Sequence, residues 1–437
     1  MQFKIMLLLV SIFSINNIYS QSSMSLSASE AVKIGLENNK NILINESKVR
    51  ALEAKVNEVN TQLYPSLSVS GSYTRLSKVE PFKIPGMDLV ISPAILNNFN
   101  SKISLQQPIF TGFRINSSIQ MNEALANAGK YDSEAYRIQL ISNIKTMYWN
   151  YFKLEKTKKS LQDNINQLQA HINDVENYIK AGLSIENDLL KVKVQKANLE
   201  LSIVDVENNI DLAGISLATL MGIDVNTKFI ITDNPENINE ELIKMQISRD
   251  TAVAWRPEIK AMDERINASK YAIEMTKSTY YPQIFLIGNY NFNNPNQRYM
   301  PMEEKFKGSW DVTLSLSYNL FDWGARNYQT EQAEESLKQA ELSKNLIIDG
   351  LNQEVSQSVM NYNKSFDRLN ATKVLLEQAR ENLRVTQEKY RAGAAISSEL
   401  LDAETSLLSA EISLITAQTD YQLSLINYNK AIGFKNY

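Results

Sequence analysis

Four stretches of the chain alternate polar and apolar side chains with a period of two. From Pro65 to Leu76 the odd positions hold Leu67, Val69, Gly71 and Tyr73, and the even positions hold Ser66, Ser68, Ser70, Ser72 and Thr74. From Ser309 to Phe321 the even positions hold Trp310, Val312, Leu314, Leu316, Tyr318 and Leu320, with Ser, Asp, Thr and Asn between them. Weaker versions run over 100–110 (Ile103 and Leu105 against Ser104 and Gln106) and 282–292 (Ile284, Leu286, Gly288, Tyr290, Phe292). This is the pattern of a strand with one apolar and one polar face. Each stretch has about 9–11 residues, the length of a membrane-spanning strand, and Tyr73, Trp310, Tyr318 and Phe321 stand near strand ends, where an interfacial girdle would lie. Alternation does not say what the apolar face touches, and a soluble sandwich of paired strands fits it too.

Elsewhere the period lengthens to that of a coiled coil. From Leu400 a three–four spacing gives Ala403, Leu407, Ala410, Leu414, Ala417, Tyr421, Ser424 and Tyr428. From Leu189 it gives Val192, Lys196, Leu199, Ile203, Val206, Ile210, Ala213 and Leu217. A seven-residue repeat held this long predicts coiled-coil packing, with Ala and Ser at the seam allowing close approach. Proline costs about 3 kcal/mol or more in a helix interior, and 109–234 and 302–437 contain none. Helices are therefore expected over roughly 113–180 and 324–391. Each would reach about 100 Å at 1.5 Å per residue.

The chain is duplicated. Tyr64-Pro65 and Gly71 match Tyr281-Pro282 and Gly288 at a separation of 217 residues. Phe110 and Phe321, Gly182 and Gly393, and Gly222 and Gly433 are each 211 apart. The separation changes only between the two strands of each β-hairpin, where a surface loop tolerates insertion. The predicted organisation is a signal peptide at 1–20 and a first repeat at 21–222, with a β-hairpin at 65–110 and a helical turn near 181–186. A linker follows at 223–250, then a second repeat at 251–437, with a β-hairpin at 282–321 and a turn near 392–398.

The signal peptide is read from Lys4, the apolar run Ile5–Ile15 and small residues near Ser20, after which cleavage is expected. No other apolar run approaches the roughly 20 residues of a spanning helix, so a membrane crossing would have to be a closed β-barrel. Composition removes other classes. There is no cysteine, hence no disulfide, thiol nucleophile or cysteine-ligated metal, and the single histidine excludes multi-histidine metal sites. The scattered methionines make no copper site, so neither metal nor cofactor is expected. A net charge of −4 lacks the basic face a nucleic-acid partner requires. No phosphate-binding glycine loop and no nucleophile–base–orienter set occurs, so an enzyme is not expected. His171, among Gln and Asn, reads as a solvated helix residue.

Four strands of membrane length cannot close a barrel, since single-chain barrels begin at about eight. Open edges in lipid leave unsatisfied N–H and C=O groups. The strands must therefore close with those of other copies.

The order of these motifs resembles the TolC-like outer-membrane efflux proteins over nearly the whole mature chain. The resemblance is carried by the Tyr-Pro strand starts at 64–65 and 281–282, by Gln107-Pro-Ile-Phe-Thr-Gly112 with Leu320-Phe-Asp-Trp-Gly324, and by Trp255-Arg-Pro-Glu-Ile259. Ala181-Gly-Leu183 and Ala392-Gly-Ala394 complete it. It implies an α+β membrane protein: a homotrimeric, 12-stranded β-barrel in outer-membrane lipid, four strands per chain, continued by a periplasmic α-helical coiled-coil tunnel. Such a duct exports passively, for efflux or type I secretion, with an inner-membrane pump and a periplasmic adaptor (membrane fusion protein) as partners.

The resemblance also assigns residues. Glu399 and Asp402, three apart on one helix face, match a pair of acids that ring the tunnel mouth; they are also ordinary first-turn acids complementing a helix dipole. Asp188 and Tyr390 match positions that hydrogen-bond between coiled coils and hold the mouth shut. Ala181, Gly182 and Leu183, with Ala392, Gly393 and Ala394, match the tips an adaptor contacts. Where the family pattern has an arginine this chain has Ala395, which removes charge-assisted bonds and leaves the closed state less strongly latched or latched by other groups.

Overall fold

The computed structural model describes residues 23–79, 82–83, 86, 90–92, 95–234 and 253–433. The expected signal peptide and most of the expected linker lie outside the described residues. In chain order the elements are β1 Ser23–Leu26, α1 Ala28–Asn38, α2 Lys40–Asn60, β2 Ser66–Arg75, β3 Phe82–Lys83, β4 Val90–Ser92, β5 Asn97–Phe110, α3 Arg114–Lys180, α4 Glu186–Met221, β6 Lys228–Ile231, α5 Pro257–Lys277, β7 Gln283–Asn293, β8 Lys307–Ser317, α6 Ala325–Arg391 and α7 Ser397–Ala431.

The four alternating stretches form one antiparallel sheet in the order β2-β5-β7-β8. The last stretch is shorter than its alternation suggested. β7 begins at Gln283, opposite Ser317, just after Pro282, so Tyr318–Phe321 have no strand to pair with. Each long helix leaves the sheet through a sharp joint. Gly112 and Phe113 both have left-handed backbone (φ 62° and 69°), and so do Trp323 and Gly324 (φ 57° and 83°). A Cβ on Gly112 would lie 2.5 Å from the Ser278 carbonyl oxygen, so only glycine fits there.

The helices α3 and α6 each run 67 residues without a break, about 100 Å at 1.5 Å per residue. α4 returns along α3 and α7 along α6, making two coiled-coil pairs. In the second pair the predicted seam is the packed one. Ala410 packs with Leu376 and Ala379, and Ala417 and Tyr421 pack with Leu369. Polar seam residues are matched across it, Tyr362 with Tyr421 at 3.0 Å and Ser365 with Ser424 at 2.7 Å.

The largest apolar core lies midway along the rods, where the pattern gave no hint of a sheet. β1 pairs in parallel with β6, and Leu26 and Phe229 pack with Val32, Ile144, Tyr148 and Tyr151. The hydroxyls of Tyr148 and Tyr151 donate to the carbonyls of Leu26 and Phe229, so the buried phenols are satisfied by the short strands. The Trp-Arg-Pro-Glu segment fastens the other side. Pro257 opens α5, where its missing N–H costs nothing. Buried Arg256 pairs with Glu258 at 2.9 Å and Glu354 at 3.2 Å, and donates to the carbonyls of Lys430 and Ala431 at the end of α7. It thereby caps the final helix with a positive charge at its negative end.

Replacing Arg256 with Met should lower stability by about 1.5–3 kcal/mol, the worth of hydrogen bonds to a charged group. The thermal midpoint of the extracted protein should fall accordingly; an unchanged midpoint would mean the network is idle. Burial pushes the Glu258 carboxyl up, but Arg256 outweighs this and holds it below the usual range. Its stabilising share is therefore complete above the ordinary glutamate pKa of about 4.3 and is lost as pH falls through the lowered value.

Candidate functional site

The register of the four-stranded sheet sorts its side chains onto two unlike faces. On one, Leu67 lies opposite Leu105, Val69 opposite Ile103, Ile103 opposite Tyr290, Tyr290 opposite Trp310, and Leu286 opposite Leu314. On the other, the Ser104 hydroxyl donates to Asn289 at 2.8 Å, and the amides of Asn289 and Asn291 donate to Asp311 at 2.7 and 3.3 Å. Phe285 and Ile287 interrupt this polar face, which is why the alternation of that stretch is weak.

Neither a helix nor a second sheet covers the apolar face among the described residues. Val69, Trp310 and Leu314 keep 75%, 70% and 69% of their surface exposed. Water would not tolerate a contiguous patch of this kind; lipid would. This removes the soluble-sandwich alternative. At the end of the sheet nearest the rods, Phe110, Phe113 and Tyr281 make edge-to-face contacts, and Phe321 packs against Trp323, which is 87% exposed. Aromatics so placed suit a membrane–water interface. Among the described residues both outer strands, β2 and β8, present an unpaired edge. No helix among the described residues is long and apolar enough to cross a membrane.

At the far end, each coiled-coil pair turns through the same motif. The Leu183 N–H donates to the Tyr178 carbonyl and the Gly182 N–H to that of Ile179; Ala394 and Gly393 repeat this with Lys389 and Tyr390. Gly182 and Gly393 have φ of 73° and 70°, the left-handed cap this ending requires, with open space where a side chain would stand. Ala181, Gly182, Leu183, Ala392, Gly393 and Ala394 are all exposed. So are Ile185 and Ile396, which sequence reasoning missed although each immediately precedes a helix and would mark an apolar tip.

Glu399 and Asp402 lie exposed in the first turns of α7, on one face. Asp188 accepts from the Ser184 hydroxyl at 3.4 Å and lies 3.8 Å from Lys191, all within the α3–α4 turn region. Tyr390 is buried in a cluster with Leu383, Leu400, Ala403 and Tyr178, and its hydroxyl has no hydrogen-bond partner among the described residues. Burial pushes that hydroxyl up to about 12, helped by Tyr178, Asp174 and Asp188 and opposed by Ser397. No hydrogen bond joins Asp188 to Tyr390 among the described residues. Ala395 packs at the edge of the same apolar cluster.

One residue contradicts the sequence reading. His171 is not solvated; it is 3% exposed, and both ring nitrogens are bound to α7. Its polar sequence neighbours point outward, while His171 itself shares a stripe with buried Asn164, Leu168 and Val175.

A model of the outer membrane efflux protein family matches residues 32–223 and 249–433. The outer membrane protein TolC of Escherichia coli (strain K12) is 22% identical over 399 residues, spanning 87% of this chain and 77% of TolC. The pyoverdine export outer membrane protein OpmQ of Pseudomonas putida is 19% identical over 414 residues, spanning 92% and 85%. Among solved structures, CusC superposes with a TM-score of 0.81 at 18% identity over 95% of each chain.

The two faces of β8 give a direct test. Leu314→Arg should block insertion into bilayers, at a cost of about 2–4 kcal/mol if the site is near the midplane. Ser315→Arg, on the opposite face, should insert normally. Equal damage from both would contradict the assignment of faces.

Proposed function

The chain belongs to the outer membrane efflux protein family and is an outer-membrane exit duct for an efflux or secretion system, not an enzyme; we propose that it works as a homotrimer whose twelve strands close one barrel and whose rods form a single tunnel. Its fold is that of the channel-tunnels, mostly helical with some sheet. The observation that carries the trimer is the sheet itself: one apolar face, one polar face and two open edges in every chain. Two copies would supply eight strands, whose bore side chains fill. Three supply twelve and leave water in the centre, where the Ser104–Asn289–Asp311 network would lie.

The rods support the same assembly. Leu190, Val194, Leu201, Val204 and Leu212 are exposed along one side of α4, and Leu342, Leu346, Met360 and Val374 along one side of α6. Each pair thus has an unpartnered apolar stripe. Packing the α4 stripe of one copy on the second pair of the next is a head-to-tail contact that closes a ring. The domain division follows: each repeat supplies one β-hairpin and one coiled-coil pair, and the described part of 223–250 belongs to the mid-rod core. The alternative of a periplasmic adaptor leaves the apolar sheet face without a purpose.

At the tunnel mouth, Glu399 and Asp402 would meet their copies around the axis. That field favours cations and binds multivalent ones. Asp188 and Tyr390, with no bond between them among the described residues, would bond across copies in the closed state. The exposed tips at Ala181–Leu183 and Ala392–Ala394 would receive a periplasmic adaptor, with Leu183, Ile185 and Ile396 supplying apolar contact. The adaptor links the duct to an inner-membrane pump, which supplies the energy and selects the cargo.

Native mass measurement of the extracted protein should give a trimer; a monomer or dimer as main species overturns the barrel. In planar bilayers the pore should be cation-selective and blocked by a trivalent cation from the tunnel side. Glu399→Ala/Asp402→Ala should weaken both while leaving assembly intact. Retention of wild-type selectivity and block would make them ordinary first-turn acids.

A further inference from the structure

We propose that His171, Glu404 and Ser397 form a buried clasp that fastens the second coiled-coil pair to the first at the tunnel end, and that its release is a step in opening the duct. The proposal rests on the duct reading above. His171 belongs to α3, in the first pair, while Glu404 and Ser397 belong to α7, in the second. Its Nδ1 lies 2.9 Å from Glu404 Oε2 and its Nε2 3.1 Å from Ser397 Oγ. The Gln167 amide, one turn earlier on α3, donates to Glu404 Oε1 at 3.4 Å. All three clasp residues are at least 95% buried. Because an ionised carboxylate only accepts, Nδ1 carries the proton toward Glu404; the Ser397 hydroxyl can donate to Nε2 or accept from it, so the cluster is satisfied with the ring neutral or charged.

Its position matters as much as its bonding. Deeper along the rods the two pairs meet through apolar side chains, with Leu408 and Leu401 of α7 against Leu161, Ile165 and Leu168 of α3. His171 closes that seam, about 16 Å short of the turn at Gly182 at the helical rise per residue. Beyond it the pairs meet in a small cluster: Tyr390 of α6 packs edge-on against His171 at 5.6 Å and Tyr178 at 5.4 Å, with Leu383, Leu400 and Ala403 around them. The two tips are not joined covalently to each other. The end of a tube made of such pairs can widen only if neighbouring pairs slide or swing apart, and the contact between pairs within one chain runs through this cluster.

An apolar seam yields gradually, since one contact replaces another as helices slide. A buried charge-assisted cluster does not: it is made or broken. Once broken, it admits water, which resolvates the carboxylate and imidazole and recovers much of the lost attraction. The clasp is therefore firm when dry and cheap to keep open when wet, which gives the end two states rather than a continuum.

The test is resting single-channel conductance of the full-length protein in planar bilayers, with assembly followed by native mass. Glu404→Gln keeps the volume and removes the charge; His171→Ala removes the whole link. Each should assemble as the wild type does and raise resting conductance several-fold, and the double variant should add little to either alone. Glu411→Gln, two turns further along α7, should leave conductance unchanged. Assembled Glu404→Gln and His171→Ala pores with wild-type resting conductance overturn the clasp, as does failure of both to assemble, which would make the cluster an assembly element. If the wild type itself forms no pore, the duct reading fails, not the clasp alone.

Discussion

A β-sheet in lipid must satisfy every backbone N–H and C=O without water, and this sheet cannot do so alone. It presents an apolar face that nothing among the described residues covers and open edges on β2 and β8. In the proposed trimer both defects have one remedy, which is closure with further copies around a water-filled bore. The rest of the architecture follows from it. The left-handed joints at Gly112–Phe113 and Trp323–Gly324 lead β5 into α3 and β8 into α6, so in the proposed assembly the number of copies that closes the sheet would also fix the number of rods in the tunnel.

The rods carry the requirement over a long distance without losing register. Each runs 67 residues uninterrupted; α3 is braced midway by the β1–β6 pair and its aromatic core, and α6 is tied to the end of α7 by Arg256 through Glu354. Rigidity in the middle concentrates freedom at the tip. There the packing narrows to one small cluster around Tyr390 and one buried polar cluster, and the functional residues of a gate would be found where fewest contacts oppose motion.

Much of this is legible in the sequence because its signals are long and periodic. Ten-residue alternation identifies all four strands of the sheet, and proline-free heptads identify the rods to within a residue or two. What escapes is short or doubly periodic. β1 and β6 have four residues each, too few to alternate recognisably, and they meet across some two hundred residues of chain. His171 is misread when only one stripe per helix is followed. On α7 the stripe 400–403–407–410 faces α6, but another, Ser397–Leu401–Glu404–Leu408, faces α3. On α3 the spacing of Asn164, Leu168, His171 and Val175 is equally regular. A helix that packs on two neighbours carries two overlapping patterns, and the polar residues of the additional stripe then resemble surface residues.

The central claim is that β2 of one copy completes its sheet on β8 of another. The chain contains no cysteine, so introduced thiols report without background. Ser68→Cys on β2, paired in turn with single cysteines along 309–317 on β8, should at one register give on oxidation a covalently closed species of three chains. Cross-linking that stops at two chains, closes within one chain, or fails at every register would contradict the account.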